Sequence, residues 1–195
     1  LLDVATIAPG PFDYIDCCGV LHHLPAPEAG LVALAAQLSP EGGMGLMVYG
    51  HYGRTGVYDA QAMLRTLADG LPDPERLAIA RNLIREMPPT SRLRRNPLVG
   101  DHLSGGDAGL YDLLLHAQDR AYTVPELLAL LDGAGLAVAS FIEPARYEPA
   151  TYLTDRALLA RLESLPFSDR AAFAETLAGN LKTHVCYAVP KARAG

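Results

Sequence analysis

The chain has 195 residues, half of them hydrophobic, and a formal charge of −6; this length suits one domain, or one domain with an insertion, and the apolar share is ample for a core. The acidic balance leaves no basic footprint for nucleic acid and no polybasic patch for a membrane surface. No apolar run approaches the roughly 18 residues of a spanning helix, and no basic stretch leads an apolar one at the start, as a signal peptide requires.

The sequence opens on Leu1-Leu2-Asp3-Val4 without an initiator Met, which reads as a cut or processed start. Segment 12–18 is a short apolar run bounded by Pro11 and Gly19, which predicts a buried strand. The continuation Gly19-Val20-Leu21-His22-His23-Leu24-Pro25 puts a glycine turn and two histidines just past the strand's C-terminal end. Open α/β sheets bind ligands at that edge. Pro27 suits the first turn of a helix, with Leu31, Leu34, Ala35 and Leu38 on one apolar face and Pro40 and Gly42-Gly43 ending it. Met44 to Tyr49 is the next buried strand, closed by Gly50. Strand, helix, strand with short connections is a βαβ unit.

From His51 to about Gln118 the pattern becomes mainly helical. Helices are predicted near Asp59–Asp69, Pro74–Met87 and Asp107–Ala117, the second with Leu77, Ala80, Ile84 and Met87 on one face. Pro88-Pro89-Thr90 and Arg92 to Pro97 read as loop. So long a block is more than a connection and predicts a lid or binding element. Thr123-Val124-Pro125-Glu126 is a capping box with proline in the first turn. It opens a helix with Leu127, Leu130, Leu131 and Ala134 buried, ended by Gly133 and Gly135. Leu136 to Ile142 is a third strand. Helices follow near Asp155–Ser164 and Asp169–Ala178, the latter capped by Ser168 and stopped by Gly179, and Thr183 to Val189 is a last strand.

The three cysteines, Cys17, Cys18 and Cys186, are odd in number and lack metal-site spacing. They read as buried small residues inside strands, and a reducing cytoplasm is the default compartment. Apart from His22-His23 the histidines are scattered, with no HExxH, so no metal site is expected. There is no GxSxG and no P-loop. His22 and His23 are the candidate catalytic residues, since an imidazole can move a proton near neutral pH; alternatively one caps backbone groups of the turn while the other packs. Tyr49, His51, Tyr52, Arg54 and Tyr58 cluster after the second strand, where Gly50, Gly53 and Gly56 keep the backbone irregular. Phenols, an imidazole and a guanidinium there suit a polar substrate pocket, or else a surface turn with ordinary tyrosine packing. Asp119 and Arg120 are expected to orient the insertion against the sheet by ion pairing, and Arg92, Arg94 and Arg95 form either an anion site or a solvated loop.

Phe12-Asp13 and Gly19 to Leu24 resemble the fourth-strand motif of class I S-adenosylmethionine-dependent methyltransferases, "FD-x-V-x-x-x-x-V-L-H-H-L". Leu38-Ser39-Pro40-Glu41-Gly42-Gly43 resembles that family's "L-x-P-G-G" turn, and Tyr122 to Leu136 its "S/T-x-x-E-L-x-x-L-L-x-x-A-G-F" helix. The resemblance implies an α/β fold: the C-terminal portion of a Rossmann-like methyltransferase sheet, residues 1–195, with a helical insertion or lid at 51–118 after the second visible strand. It implies S-adenosylmethionine as cofactor, with Cys18, Gly19 and Val20 along its methionine part. It further implies in-line methyl transfer, with His22 or His23, Tyr49 and His51 facing the substrate; the Tyr- and His-rich edge suits a small polar or aromatic acceptor, with a protein side chain as the alternative. The family's glycine loop and ribose-binding acidic residue lie before this segment in the pattern, so a truncated enzyme missing most of the cofactor half-site is expected. Without the family's first strand, a sheet edge is left open to pairing, and homodimerisation with it. The competing reading is a non-catalytic α/β binding or dimerisation module; a nucleotide-dependent oxidoreductase is weaker, for nothing here favours a nicotinamide pocket.

Overall fold

The computed structural model describes residues 3–193; the opening Leu1-Leu2 lies outside them. In chain order the elements are α1 (Val4–Ile7), β1 (Phe12–Cys18), α2 (Pro27–Ala35), β2 (Leu38–Gly50), α3 (Val57–Ala68), α4 (Asp73–Glu86), α5 (Arg92–Arg95), α6 (Asp101–Ser104), α7 (Gly106–Leu114), β3 (Ala121–Tyr122), α8 (Val124–Gly133), β4 (Leu136–Phe141), α9 (Arg156–Glu163), α10 (Phe167–Ala178) and β5 (Thr183–Pro190). They form two units: Gly53–Ala117, and the described residues on either side of it.

The flanking unit is built on a sheet of order β1-β2-β5-β4. β1 runs parallel to β2, while β5 is antiparallel to both β2 and β4. β3 pairs in parallel with the end of β2 at Tyr49 and Gly50. Tyr49 also faces Thr183 of β5, so β3 lies on the β1 side and takes over where β1 stops. A two-residue strand carries no periodicity, which is why the sequence does not show it.

Strand alternation sorts the side chains of this sheet. Met44, Leu46 and Val48 of β2 point with Cys17 of β1 and with Cys186 and Ala188 of β5 into one core, which Leu31 and Leu34 of α2 and Val124, Leu127, Leu130 and Leu131 of α8 complete. The opposite face carries Tyr14, Asp16 and Cys18 of β1, Gly43, Gly45, Met47 and Tyr49 of β2, and Val185 and Tyr187 of β5. None of these belongs to a core among the described residues. Tyr14 is 54% and Tyr187 47% exposed. The Tyr14 hydroxyl lies where a side chain on Gly45 would go, so the glycine lets the ring fold flat over the strand.

Five sequence readings need correction. The first strand is not buried: in β1 only Cys17 is, because among the described residues nothing pairs with its outer edge or covers its second face. Cys18, on that face, is accordingly exposed rather than buried. Leu38 is not on the face of α2, nor do Pro40 and Gly42-Gly43 end that helix. Gln37 O accepts from Phe12 N at 2.7 Å, which draws Leu38 into register with Phe12, and β2 then bulges before Gly43 reaches Tyr14. Ser168 does not cap α10, which starts one residue earlier at Phe167 after Pro166. The stretch 92–97 is not all loop, since α5 occupies Arg92–Arg95.

Gly53–Ala117 has its own core of Val57, Ala60, Leu64, Ala80, Met87, Leu93, Leu110, Leu113 and others, against which Leu77 and Ile84 pack in part. The α4 face foreseen from spacing is thus the one turned inward. Eight arginines here balance eight carboxylates and there is no lysine, so the charge of −6 resides in the rest of the chain. Gly56 has φ +90° and stands where a Cβ would collide with the α5 backbone, a place only glycine fills.

The Thr123 capping box is complete: its side chain accepts from Glu126 N, and Glu126 Oε2 accepts from Thr123 N at 2.7 Å. Burial would raise the Glu126 pKa, but hydrogen bonds from Thr123 and the charges of Arg120 and His51 outweigh it and hold the carboxyl below its usual value. Its contribution to stability is therefore present above the ordinary glutamate range and is lost as pH falls through the lowered folded value. Thr123→Ala should cost about 1 kcal/mol, read as a lower midpoint in chemical denaturation at pH 7, with the gap to the parent narrowing in acid.

Candidate functional site

The turn after β1 is set by Gly19. Its φ of +76° is open to glycine alone among common residues, and its N–H donates to Met47 O at 3.2 Å. β1 thereby closes against β2 and releases Val20, which is 39% exposed. Leu21 then plugs the core fully and anchors the 3-10 turn Leu21–His23. His22 is buried and lies face to face on Tyr49, with ring centroids 3.8 Å apart and planes 27° apart. His23 meets His22 edge-on at 4.4 Å. His23 Nδ1 lies 2.9 Å from Gln118 O; a carbonyl only accepts, so Nδ1 carries the proton and Nε2 holds the lone pair of the neutral ring.

The return segment before α8 closes this edge. Arg120 N donates to His22 O at 3.0 Å. The Arg120 side chain reaches Glu28 Oε1 at 3.1 Å and covers the Tyr122 ring at 4.7 Å. This corrects the expectation that Arg120 ties the insertion to the sheet: its partners are all in the sheet unit. Being half exposed, the pair with Glu28 adds little stability. His51 is exposed, its N–H donates to Tyr122 O at 2.9 Å, and its ring meets Tyr52 edge-on at 5.1 Å.

Thus Cys18, Gly19, Val20, His22, His23, Tyr49 and His51 all fall at the ends of β1 and β2, which are parallel. Arg54 belongs to the helical unit, is buried, and stacks over Tyr58 at 5.8 Å. In the same unit Arg92 pairs with Asp59 at 3.3 Å and Arg94 donates to Met87 O. A cavity of about 420 Å³ there is walled by Leu64, Arg65, Arg76, Leu114 and His116. It contains none of the candidate catalytic or cofactor residues. Arg76 is already committed, to Asp73 at 2.9 Å and to Leu115 O at 2.8 Å. No group of three metal-ligating side chains occurs among the described residues, and no described helix is long and apolar enough to cross a membrane.

Sequence reasoning missed a buried polar group in the sheet unit. Glu175 of α10 accepts from Val124 N at 2.8 Å through Oε2, while Oε1 lies 3.2 Å from His184 Nε2 of β5. That nitrogen is also 2.9 Å from Tyr122 O, and His184 Nδ1 is 3.1 Å from the Tyr147 hydroxyl. A signal was present. His184 shares the strand phase of Cys186 and Ala188, and Glu175 follows Ala171 and Ala174 on one helix face, so both occupy core positions.

No family model matches the chain. A curated relative, uncharacterized protein syc1184_c of Synechococcus sp. (strain ATCC 27144 / PCC 6301 / SAUG 1402/1), is 35% identical over 152 residues, which is 76% of this chain and 36% of that protein. Two solved structures of PKMT2 from Rickettsia typhi are similar at 13% identity. One has a TM-score of 0.67 over 94% of this chain and 36% of its own; the other, in complex with AdoHcy, has a TM-score of 0.71 over 95% and 37%. The chain therefore spans little more than a third of the proteins it matches. Its fold is that of the class I S-adenosylmethionine-dependent methyltransferases.

Exposed though it is, Cys18 should be a slow thiol. Desolvation, a hydrogen bond to Asp16 and the charges of Asp16 and Cys17 push it up to about 11. The thiolate is the reactive form, so alkylation by iodoacetamide should be slow at pH 8 and rise toward pH 11. Asp16→Asn should shift that profile to lower pH.

Proposed function

We propose that this chain is the C-terminal part of a longer methyltransferase that moves a methyl group from S-adenosylmethionine to a small-molecule acceptor. The observation that carries the reading is the convergence of the Gly19 turn, the His22–Tyr49 stack and His23 at the C-terminal ends of parallel strands. Doubly wound sheets bind their ligands at that edge. Support comes from the methyltransferase fold and from a structural neighbour that binds AdoHcy. Among the described residues no strand pairs with the outer edge of β1, and Tyr14 and Tyr187 stand exposed on the second face of the sheet, which supports the view that further segments complete the molecule.

The residues present fit one end of the cofactor. At Gly19 an added side chain would be strained by φ, and Cys18 and Val20 are exposed beside it, so the backbone is open to an amino-acid moiety. When bound, S-adenosylmethionine would supply an electrophilic methyl on its sulfonium, to which the acceptor atom would bond in line as the carbon–sulfur bond breaks and S-adenosylhomocysteine leaves. Such a transfer depends chiefly on alignment. His22 packs on Tyr49 and fixes the wall of the pocket. His23, its tautomer set by Gln118 O, offers Nε2 to take the acceptor's proton. Tyr49, His51 and Tyr52 provide polar contacts to the acceptor.

Calorimetric titration of S-adenosylhomocysteine into this chain and into the longer protein tests the reading. Binding is expected in the longer protein and is expected to be much weaker in this chain. Binding to neither overturns it in favour of a non-catalytic module. In the longer protein, His23→Gln should lower kcat by roughly 10²-fold or more, the low end of general-base effects, and leave S-adenosylhomocysteine affinity unchanged.

A further inference from the structure

We infer that the buried Glu175–His184 pair is a positioning device for the ligand edge, acting through the carbonyl of Tyr122. That carbonyl accepts from His184 Nε2 and from His51 N, each at 2.9 Å. The return segment is thus gripped at successive points. His184 holds Tyr122 O, and Glu175 holds Val124 N at 2.8 Å. Upstream, Gln118 O meets His23, and Arg120 N meets His22 O. Both of these contacts to the histidine turn lie within a few residues of the clamp.

The chemistry suits the task. Both side chains are essentially inaccessible, and the imidazole is approached by three groups: the Glu175 carboxylate, the Tyr122 carbonyl and the Tyr147 hydroxyl. Oε1 stands at ion-pair distance rather than in an aligned hydrogen bond, so the pair gains little beyond the geometry it imposes. Buried pairs of this kind often add no net stability over apolar packing, yet they fix one arrangement of their neighbours. Backbone amides alone would let β3, with its two residues, slide or fray. A side-chain acceptor and donor from α10 and β5 fix its register.

The inference rests on the proposed ligand edge for its functional meaning, but its test does not use methyl transfer. The double variant Glu175→Leu/His184→Phe replaces the pair by apolar groups in the full chain. Its melting temperature and amide exchange are compared with those of Leu136→Ala, which opens the same core away from the clamp. The expected result is a melting temperature no lower than that of Leu136→Ala, with exchange at His51 and Arg120 at least tenfold faster than in that control. The imidazole resonances of His22 and His23 should also shift. Unchanged protection and unshifted imidazoles in the folded double variant overturn the inference. Should that variant not fold, Glu175→Gln keeps an acceptor for Val124 but removes the charge facing His184. Tenfold faster exchange at His51 then supports the clamp, and unchanged exchange overturns it. A failed S-adenosylhomocysteine titration would remove the methyltransferase reading and leave these results standing.

Discussion

β2 is the member on which the rest of the sheet depends. β1, β3 and β5 all hydrogen-bond to it, and only β4 does not. Its middle residues are buried because both neighbours pair with it, and its phase decides which side chains of β1 and β5 enter the core. A slip of one residue would exchange Leu46 and Val48 for Met47 and Tyr49, turning the core face outward. The bulge near its start sets Ser39 to Gly42 against the single residue Asp13 before the regular register begins, so the irregularity stays away from the strand's C-terminal end.

That edge is made by termination rather than by any single special residue. β1 stops at Gly19 while β2 runs on to Gly50, and β3 fills the vacated side. The offset leaves Tyr49 flanked by the histidine turn on one side and by β5 on the other. His22 is then buried against a neighbouring ring while His23 is turned toward a carbonyl. Two adjacent imidazoles thus receive different surroundings, and the Gln118 carbonyl places the proton of His23.

Much of this was legible in the sequence where local chemistry decides structure. The Thr123 capping box, the Gly19 turn, the apolar faces of α4 and α8 and the Gly179 stop are all written in neighbouring residues. What was misread depended on distant partners. The β1 run is apolar enough for a buried strand, but among the described residues no strand pairs with its outer edge. Leu38 fits a helix by spacing, but Phe12 claims it for the sheet. Arg120 looked toward the insertion because of its place in the chain, whereas Glu28 lies far away in sequence. His184 and Glu175 had the right phase for burial, but a charged type at a core position reads as noise until its partner is known.

The insertion begins and ends beside residues that are already hydrogen-bonded to one another. Tyr49 pairs with Ala121, and His51 with the Tyr122 carbonyl. The sheet unit therefore holds the two ends of the loop together by itself. Closing a longer or shorter loop between ends already fixed costs little extra entropy, since the cost grows only slowly with length. The fold is in this respect a socket: the sheet unit's own hydrogen bonds hold the two ends of the loop at a fixed separation, whatever length of chain runs between them.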